Sequence, residues 1–124
     1  MRRSVIGIFL IVTILSGCRD TSSVGQARRL GSRDFTVDGW AAANERERGA
    51  MVASFLRKHD VKSLNRQDVI RVLGDPTSYY EYHEDPAYRV GATQSARDGH
   101  ALVFVTDKRT GKVTEVAFVP EVGE

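Results

Sequence analysis

Apolar residues recur along this chain with two different periods, and the change between them lies near Thr77. Residues 44–73 place apolar side chains three or four positions apart, which is typical of amphipathic helices, whereas residues 77–119 follow the two-residue period of strands. Helices followed by neighbouring strands indicate an α+β domain in which the helices pack on an antiparallel sheet.

Two helices are predicted in the first part of this domain. Asn44 and Asn65 each precede an amphipathic stretch, and each has an acidic residue three positions later, Glu47 and Asp68, as in a capping box. The apolar faces are Met51, Val52, Phe55 and Leu56 in the first helix and Val69, Ile70, Val72 and Leu73 in the second. A glycine and a proline within residues 74–76 then end the second helix.

The sequence after residue 76 favours β structure. It contains an aromatic segment at 79–82, a short extended piece at 87–90 and two stronger strand patterns at 101–106 and 113–119. Gly111 lies in the hairpin loop between the last two and is suited to a positive φ. We therefore predict an ααβββ fold, in which two N-terminal helices pack on a three-stranded antiparallel sheet.

The apolar run near the N-terminus has the pattern of an export signal. Arg2 and Arg3 precede apolar residues 5–15, and small residues follow; the run is shorter than the roughly 20 residues of a transmembrane helix. The sequence Leu-Ser-Gly-Cys that ends at Cys18 resembles the lipobox of bacterial lipoproteins at every position. The resemblance implies cleavage between Gly17 and Cys18 and lipidation of Cys18. The alternative is an uncleaved signal anchor that contains a cysteine.

Residues 18–43 are rich in Ser, Gly, Arg and Asp and have no helical or strand period. The isolated apolar residues of this segment are Leu30, Phe35, Val37 and Trp40. We predict a flexible linker, whose reach would be about 25–30 Å. Trp40 is a possible exception, either as part of the domain core or as a contact for a partner.

Charge and composition exclude several function classes. The chain has 18 basic and 16 acidic residues, and because Arg2 and Arg3 lie in the signal, 16 of each remain after cleavage. A near-neutral domain provides no strong field for nucleic acid. Cys18 is the one cysteine, so lipidation would leave no thiol for a disulfide or for catalysis.

Catalytic and metal-binding patterns are not evident. His59, His83 and His100 stand singly, without the spacing of a metal site, and no serine lies in a Gly-x-Ser-x-Gly turn. The acidic residues around His83, at 81, 84 and 85, could form an acid–base cluster, but a solvated turn between strands explains them better. We predict that the protein is not an enzyme and has no metal or cofactor.

A candidate binding surface comprises Tyr79, Tyr80, Tyr82, Tyr88 and Arg89. Tyrosine and arginine are the residues that dominate binding hot spots, because they provide a large contact area at modest entropic cost. Strand alternation predicts that Tyr80 and Tyr82 lie on one face and Tyr79 on the other. The alternative is that these residues are only strand formers.

The second helix is similar to a motif of the SmpA/OmlA, or BamE-like, outer-membrane lipoproteins. The shared features are a polar cap at Asn65, an acidic residue before Val69, and the Leu-Gly-x-Pro sequence at residues 73–76. The resemblance covers roughly residues 46–120. It implies a lipid-anchored protein on the periplasmic side of the outer membrane that binds other envelope proteins, such as the outer-membrane protein assembly machinery.

The predicted organisation is therefore a signal peptide at residues 1–17, a lipidated cysteine and linker at 18–43, an SmpA/OmlA-like domain at 44–120 and a tail at 121–124. The β-lactamase inhibitor protein repeats share the plan of two helices and a sheet. An inhibitor-like or small-ligand-binding periplasmic module is thus the alternative function.

Overall fold

The computed structural model describes residues 22–80, 84–94 and 96–123. Its helices are α1 (Ser23–Leu30), α2 (Val37–Ala42), α3 (Glu45–Lys58) and α4 (Arg66–Leu73), with a 3-10 turn at Val61–Ser63 before α4. The strands are β1 (Ser78–Tyr80), β2 (Asp85–Arg89), β3 (Ala101–Thr106) and β4 (Val113–Val119). They form one antiparallel sheet in the order β1-β2-β3-β4. The α+β class is confirmed, but the numbers of helices and strands in the ααβββ prediction were too small for the described residues.

Capping boxes begin α3 and α4 as the sequence predicts. Asn44 Oδ1 accepts a hydrogen bond from the Glu47 amide at 2.8 Å, and Glu47 Oε1 accepts one from the Asn44 amide at 3.0 Å. The same pair of bonds joins Asn65 and Asp68, at 2.9 and 3.0 Å. Gly74 ends α4 with φ at 82°, a backbone conformation that favours glycine.

The prediction of a flexible linker was wrong for residues 22–43, because α1 and α2 belong to the domain. Phe35 and Trp40 are 3% and 1% exposed and lie in the core. Gln26 Oε1 accepts a hydrogen bond from the Val122 amide at 2.7 Å, which joins α1 to the C-terminal segment. These contacts are distant in sequence and leave no local periodicity. The domain therefore includes residue 22 and, through buried Val122, part of the predicted tail.

The core lies between the helices and one face of the sheet, which we call the inner face. It contains Trp40, Met51, Val52, Phe55, Val69, Leu73, Tyr88, Leu102, Phe104, Val116 and Phe118 among others. Two aromatic residues also cap the C-terminus of α4: the Trp40 indole donates to the Leu73 carbonyl at 2.9 Å, and the Tyr88 hydroxyl donates to the Gly74 carbonyl at 2.8 Å. They thereby satisfy carbonyl groups that a helix end leaves unpaired.

Gly49 allows α3 to approach the sheet closely. A Cβ atom at this position would lie 2.1 Å from the carbonyl oxygen of Val90, which no side-chain rotation could relieve. Helix α3 thus lies close to Val90, the residue that follows β2. The opposite, outer face of the sheet carries no helix in the part of the chain that the structure describes.

Candidate binding face of the sheet

The register of the sheet defines the residues of the outer face. Directly paired residues point to the same side, so the pairs Ala87–Val103 and Val103–Ala117 belong to one row. The outer face consists of Ser78, Tyr80, Asp85, Ala87, Arg89, Ala101, Val103, Val105, Glu115, Ala117 and Val119. Ala87 and Val103 are buried, yet neither belongs to the core cluster on the inner face. The centre of the outer face is therefore apolar.

A hollow of about 490 Å³ lies on this face. Its lining consists of Tyr80, Asp85, Val103, Val105, Thr106, Lys108, Glu115, Ala117 and Val119, and we call it the sheet-face hollow. The floor is made of valine and alanine side chains, whereas the polar groups lie toward the hairpin that follows β3. Tyr80 and Val119 are 37% and 41% exposed.

Asp85 forms the polar end of the hollow together with two partners. Its Oδ1 atom accepts hydrogen bonds from the Thr106 amide at 2.9 Å, the Thr106 hydroxyl at 2.8 Å and Lys108 Nζ at 2.6 Å. A register shift between Val105 and Thr106 lies at this point of the β3–β4 pair. Asp85 is fully buried, so the prediction that it lies in a solvated turn was wrong.

The two oxygen atoms of the Asp85 carboxylate differ in their surroundings. Oδ2 is buried and has no hydrogen-bond partner among the described residues. Burial of the carboxyl acts to raise its pKa, but the hydrogen bonds from Lys108 and Thr106 outweigh this effect, so the pKa lies below its ordinary value. Asp85 is therefore ionised at neutral pH, and one of its oxygens has no partner in the described part of the chain.

The predicted tyrosine patch is divided between different environments. Tyr80 lies in the hollow, whereas Tyr79, which is 41% exposed, pairs with Pro86 and lies on the opposite side of β1. Tyr88 is fully buried and in edge contact with Trp40 and Phe104, and burial raises the pKa of its hydroxyl. Its assignment to a binding surface was wrong. Tyr82 lies outside the described residues.

Arg89 is exposed at the end of the outer face. Its guanidinium donates to the Asp98 carbonyl and lies 4.0 Å from a carboxylate oxygen of Glu45. These contacts hold the side chain against a loop and the start of α3. Arg89 does not line the sheet-face hollow.

The described candidates for catalysis have separate structural contacts, and residues 81 and 83 of the predicted acid–base cluster lie outside the described residues. Glu84 pairs with Arg66 at 3.0 Å, and His59 stacks on Phe55. His100 is fully buried, with Nδ1 donating to the Pro120 carbonyl at 2.6 Å and Nε2 2.8 Å from the Thr93 hydroxyl. Both of its ring nitrogens are thus engaged in structural hydrogen bonds. Within residues 22–80, 84–94 and 96–123, no group of three or more His, Cys, Asp or Glu residues could hold a metal ion.

Gly17, Cys18 and the rest of the predicted signal lie outside the described residues, as does His83. Among the helices described, none is long and apolar enough to cross a membrane. No family model, curated protein or solved structure matches this chain.

Proposed function

We propose that this protein is a lipid-anchored lipoprotein on the periplasmic side of the bacterial outer membrane, and that its domain binds another envelope protein without catalysis. The lipobox that ends at Cys18 supports the anchor. The similarity of residues 65–76 to the SmpA/OmlA lipoproteins supports the location and the class of partner, which includes the outer-membrane protein assembly machinery. Membership in that family is part of the proposal.

The sheet-face hollow is the observation that carries the binding role. Its floor is apolar, and Tyr80 and Val119 expose further apolar surface at its edges. A sheet normally packs its apolar face against another layer of structure, and exposed apolar patches often mark interaction sites. In the part of the chain that the structure describes, helices cover the inner face and no layer covers the outer face, so we infer that a partner protein provides it.

Site-specific photocrosslinking in intact envelopes tests this role. A photoreactive residue at position 119 or 80 should form a crosslink to a partner, because both side chains lie at the hollow. The matched control is position 37, since Val37 in α2 is apolar and 52% exposed but does not line the hollow. Equal crosslinking at position 37 would contradict the role of the sheet face.

The identity of the crosslinked protein separates the two functions that the sequence leaves open. Recovery of outer-membrane assembly proteins supports the BamE-like function. Recovery of a secreted enzyme supports the alternative, an inhibitor-like module, for which the exposed Tyr79 and Tyr80 would be suitable contacts.

The anchor is tested separately with Cys18→Ser. We expect a precursor that keeps its signal peptide and lacks acyl chains, because the sulfur atom of the cysteine thiol accepts the lipid. Intact mass and membrane fractionation measure both properties. A variant with the same mass shift and fractionation as the wild type would contradict lipidation.

A further inference from the structure

The unpaired oxygen of Asp85 indicates what kind of chemical group a ligand of the sheet-face hollow would carry. Oδ2 belongs to a fully buried side chain that lines the hollow, and it has no hydrogen-bond donor among the described residues. An ionised carboxylate oxygen that is buried without a donor is costly, and such groups in native proteins require an explanation. The atom itself is not accessible, so a cation held close to the carboxylate at the polar end of the hollow would offset its charge without a direct hydrogen bond.

The charges around the hollow favour a cationic group. Asp85 and Glu115 contribute two carboxylates, whereas Lys108 contributes one ammonium group. Lys108 Nζ already donates to Asp85 Oδ1 and to the Thr106 carbonyl, at 2.6 and 3.0 Å. The lining thus keeps a net negative charge that its own lysine does not cancel. The Tyr80 ring at the edge adds a surface on which a cation can stack.

The spacing of residues on the outer face matches that of an extended peptide. Val103 and Val105 are two residues apart on β3, which corresponds to about 7 Å. Alternate side chains of an extended peptide have the same spacing, so a peptide parallel to β3 would match successive rows of the outer face. The volume of about 490 Å³ is that of a small-molecule pocket, about 300–1,000 Å³, and would hold a few side chains of such a peptide.

We propose that the sheet-face hollow binds an extended peptide segment of the partner protein with the pattern cation-x-apolar-x-apolar. This inference rests on the proposed binding role of the outer face and adds the chemistry of the partner. The lysine or arginine lies at the polar end of the hollow, beside the carboxylates of Asp85 and Glu115. The first apolar side chain contacts Ala117, and the second contacts Val119.

Short peptides of defined sequence test the proposal. The probe is the peptide Lys-Thr-Val-Thr-Val with a fluorophore on its N-terminal amine and an amidated C-terminus, and its matched controls carry norleucine or glutamate in place of lysine. The full chain is held in nanodiscs of zwitterionic phosphatidylcholine, which do not attract cationic peptides, and empty nanodiscs give the background. Fluorescence anisotropy of the labelled peptides measures the dissociation constants.

We expect the lysine peptide to bind at least tenfold more tightly than the norleucine peptide, and the glutamate peptide to bind least. Asp85→Asn should reduce this preference to less than threefold. Because Asp85 is buried and its variant could be unstable, Glu115→Gln is a second test at an exposed position and should reduce the preference two- to threefold. Asp98→Asn, in an exposed turn outside the hollow, should keep it.

Equal binding of the lysine and norleucine peptides would overturn the inference, as would an unchanged preference in both Asp85→Asn and Glu115→Gln. Binding of octylammonium without binding of the lysine peptide would overturn the assignment to a peptide and indicate a small amphiphilic ligand. Crosslinking at position 119 reports on the proposed function independently, so loss of peptide preference with retained crosslinking would refute the cationic pattern alone.

Discussion

The two faces of the sheet are built from the same strands but differ in size, polarity and completeness. The inner face presents large residues such as Tyr88, Phe104 and Phe118, which are covered by helices. The Tyr88 hydroxyl has a partner in the Gly74 carbonyl. The outer face presents mainly alanine and valine, and its buried carboxylate at Asp85 has one unpaired oxygen. Among the described residues, the inner face is therefore covered by helices, whereas the outer face has no such layer.

Because of this difference, adjacent residues of a single strand contribute either to stability or to binding. Neighbouring residues of β3 alternate between the core and the outer face, so Phe104 and Val105 have different tasks although they are adjacent in sequence. Substitutions on the inner face should lower the free energy of unfolding. Substitutions on the outer face should mainly change binding.

The largest expected effect comes from Phe104→Ala, which removes a fully buried ring from the core. The free energy of unfolding should fall by about 3–5 kcal/mol. Val105→Ala is the matched control on the outer face and should cost less than about 1 kcal/mol, because its side chain is partly exposed. Chemical denaturation measures both. Similar losses for the two variants would contradict the division between the faces.

A smaller loss is expected from Gly49→Ala. Alanine favours a helix over glycine by up to about 1 kcal/mol, so helix propensity alone predicts stabilisation. We expect the opposite sign, a loss of about 1–3 kcal/mol, because the added Cβ would lie 2.1 Å from the Val90 carbonyl oxygen. Arg46→Ala, at an exposed position of the same helix, should change stability by less than about 0.5 kcal/mol. A more stable Gly49→Ala variant would show that α3 does not approach the sheet so closely.

Tyr88→Phe tests whether the polar groups of the inner face are satisfied. The ring and its contacts with Trp40 and Phe104 remain, but the Gly74 carbonyl loses its donor. The expected cost is about 1 kcal/mol in thermal or chemical unfolding. A variant as stable as the wild type would show that this hydrogen bond adds nothing to the net stability.

The smallest expected effect is on how the free energy of unfolding depends on acidic pH, and it involves Asp85. Its pKa in the folded protein lies below the unfolded value, which is about 3.9 for aspartate. The ionised carboxylate therefore stabilises the fold above this pH, and the contribution is lost as the pH falls through the folded pKa. Stability should decrease less steeply on acidification in Asp85→Asn than in the wild type. Thr106→Val, which removes one donor to Oδ1, should give an intermediate slope; identical slopes in all three proteins would contradict the assignment.

Local patterns in the sequence predicted the elements that local contacts stabilise. The capping residues Asn44 and Asn65 mark the starts of α3 and α4, and the period of two identifies β3 and β4. Weaker local signals were also present in the segment interpreted as a linker. Ser22 and Thr36 accept hydrogen bonds from amides three residues later, as N-cap residues do.

The remaining features depend on contacts between distant residues. Gln26 is buried because it bonds to Val122, and a glutamine in a polar segment gives no sign of such a partner. The sheet-face hollow likewise requires the register that places Tyr80 opposite Asp85 and the irregularity next to Thr106. Alternation along β2 places Tyr88 on the opposite face from Asp85 and on the same face as Pro86 and Val90. The apolar neighbours of Tyr88 on that face could therefore have indicated that Tyr88 is buried.

The start of α1 at Ser23 limits how far the domain can extend from the membrane to contact a partner. If Cys18 carries the lipid as proposed, the covalent distance from its Cα to that of Ser22 is at most about 14 Å, whatever path residues 19–21 take. This is about half the reach expected of the linker predicted from sequence, and the volume that a tethered body can search falls with the cube of its reach. Because 14 Å is the fully extended limit, the domain would explore at most about one eighth of that volume, and its effective concentration toward a partner fixed in the same membrane would rise correspondingly. Encounters with freely diffusing periplasmic proteins would gain nothing from this restriction.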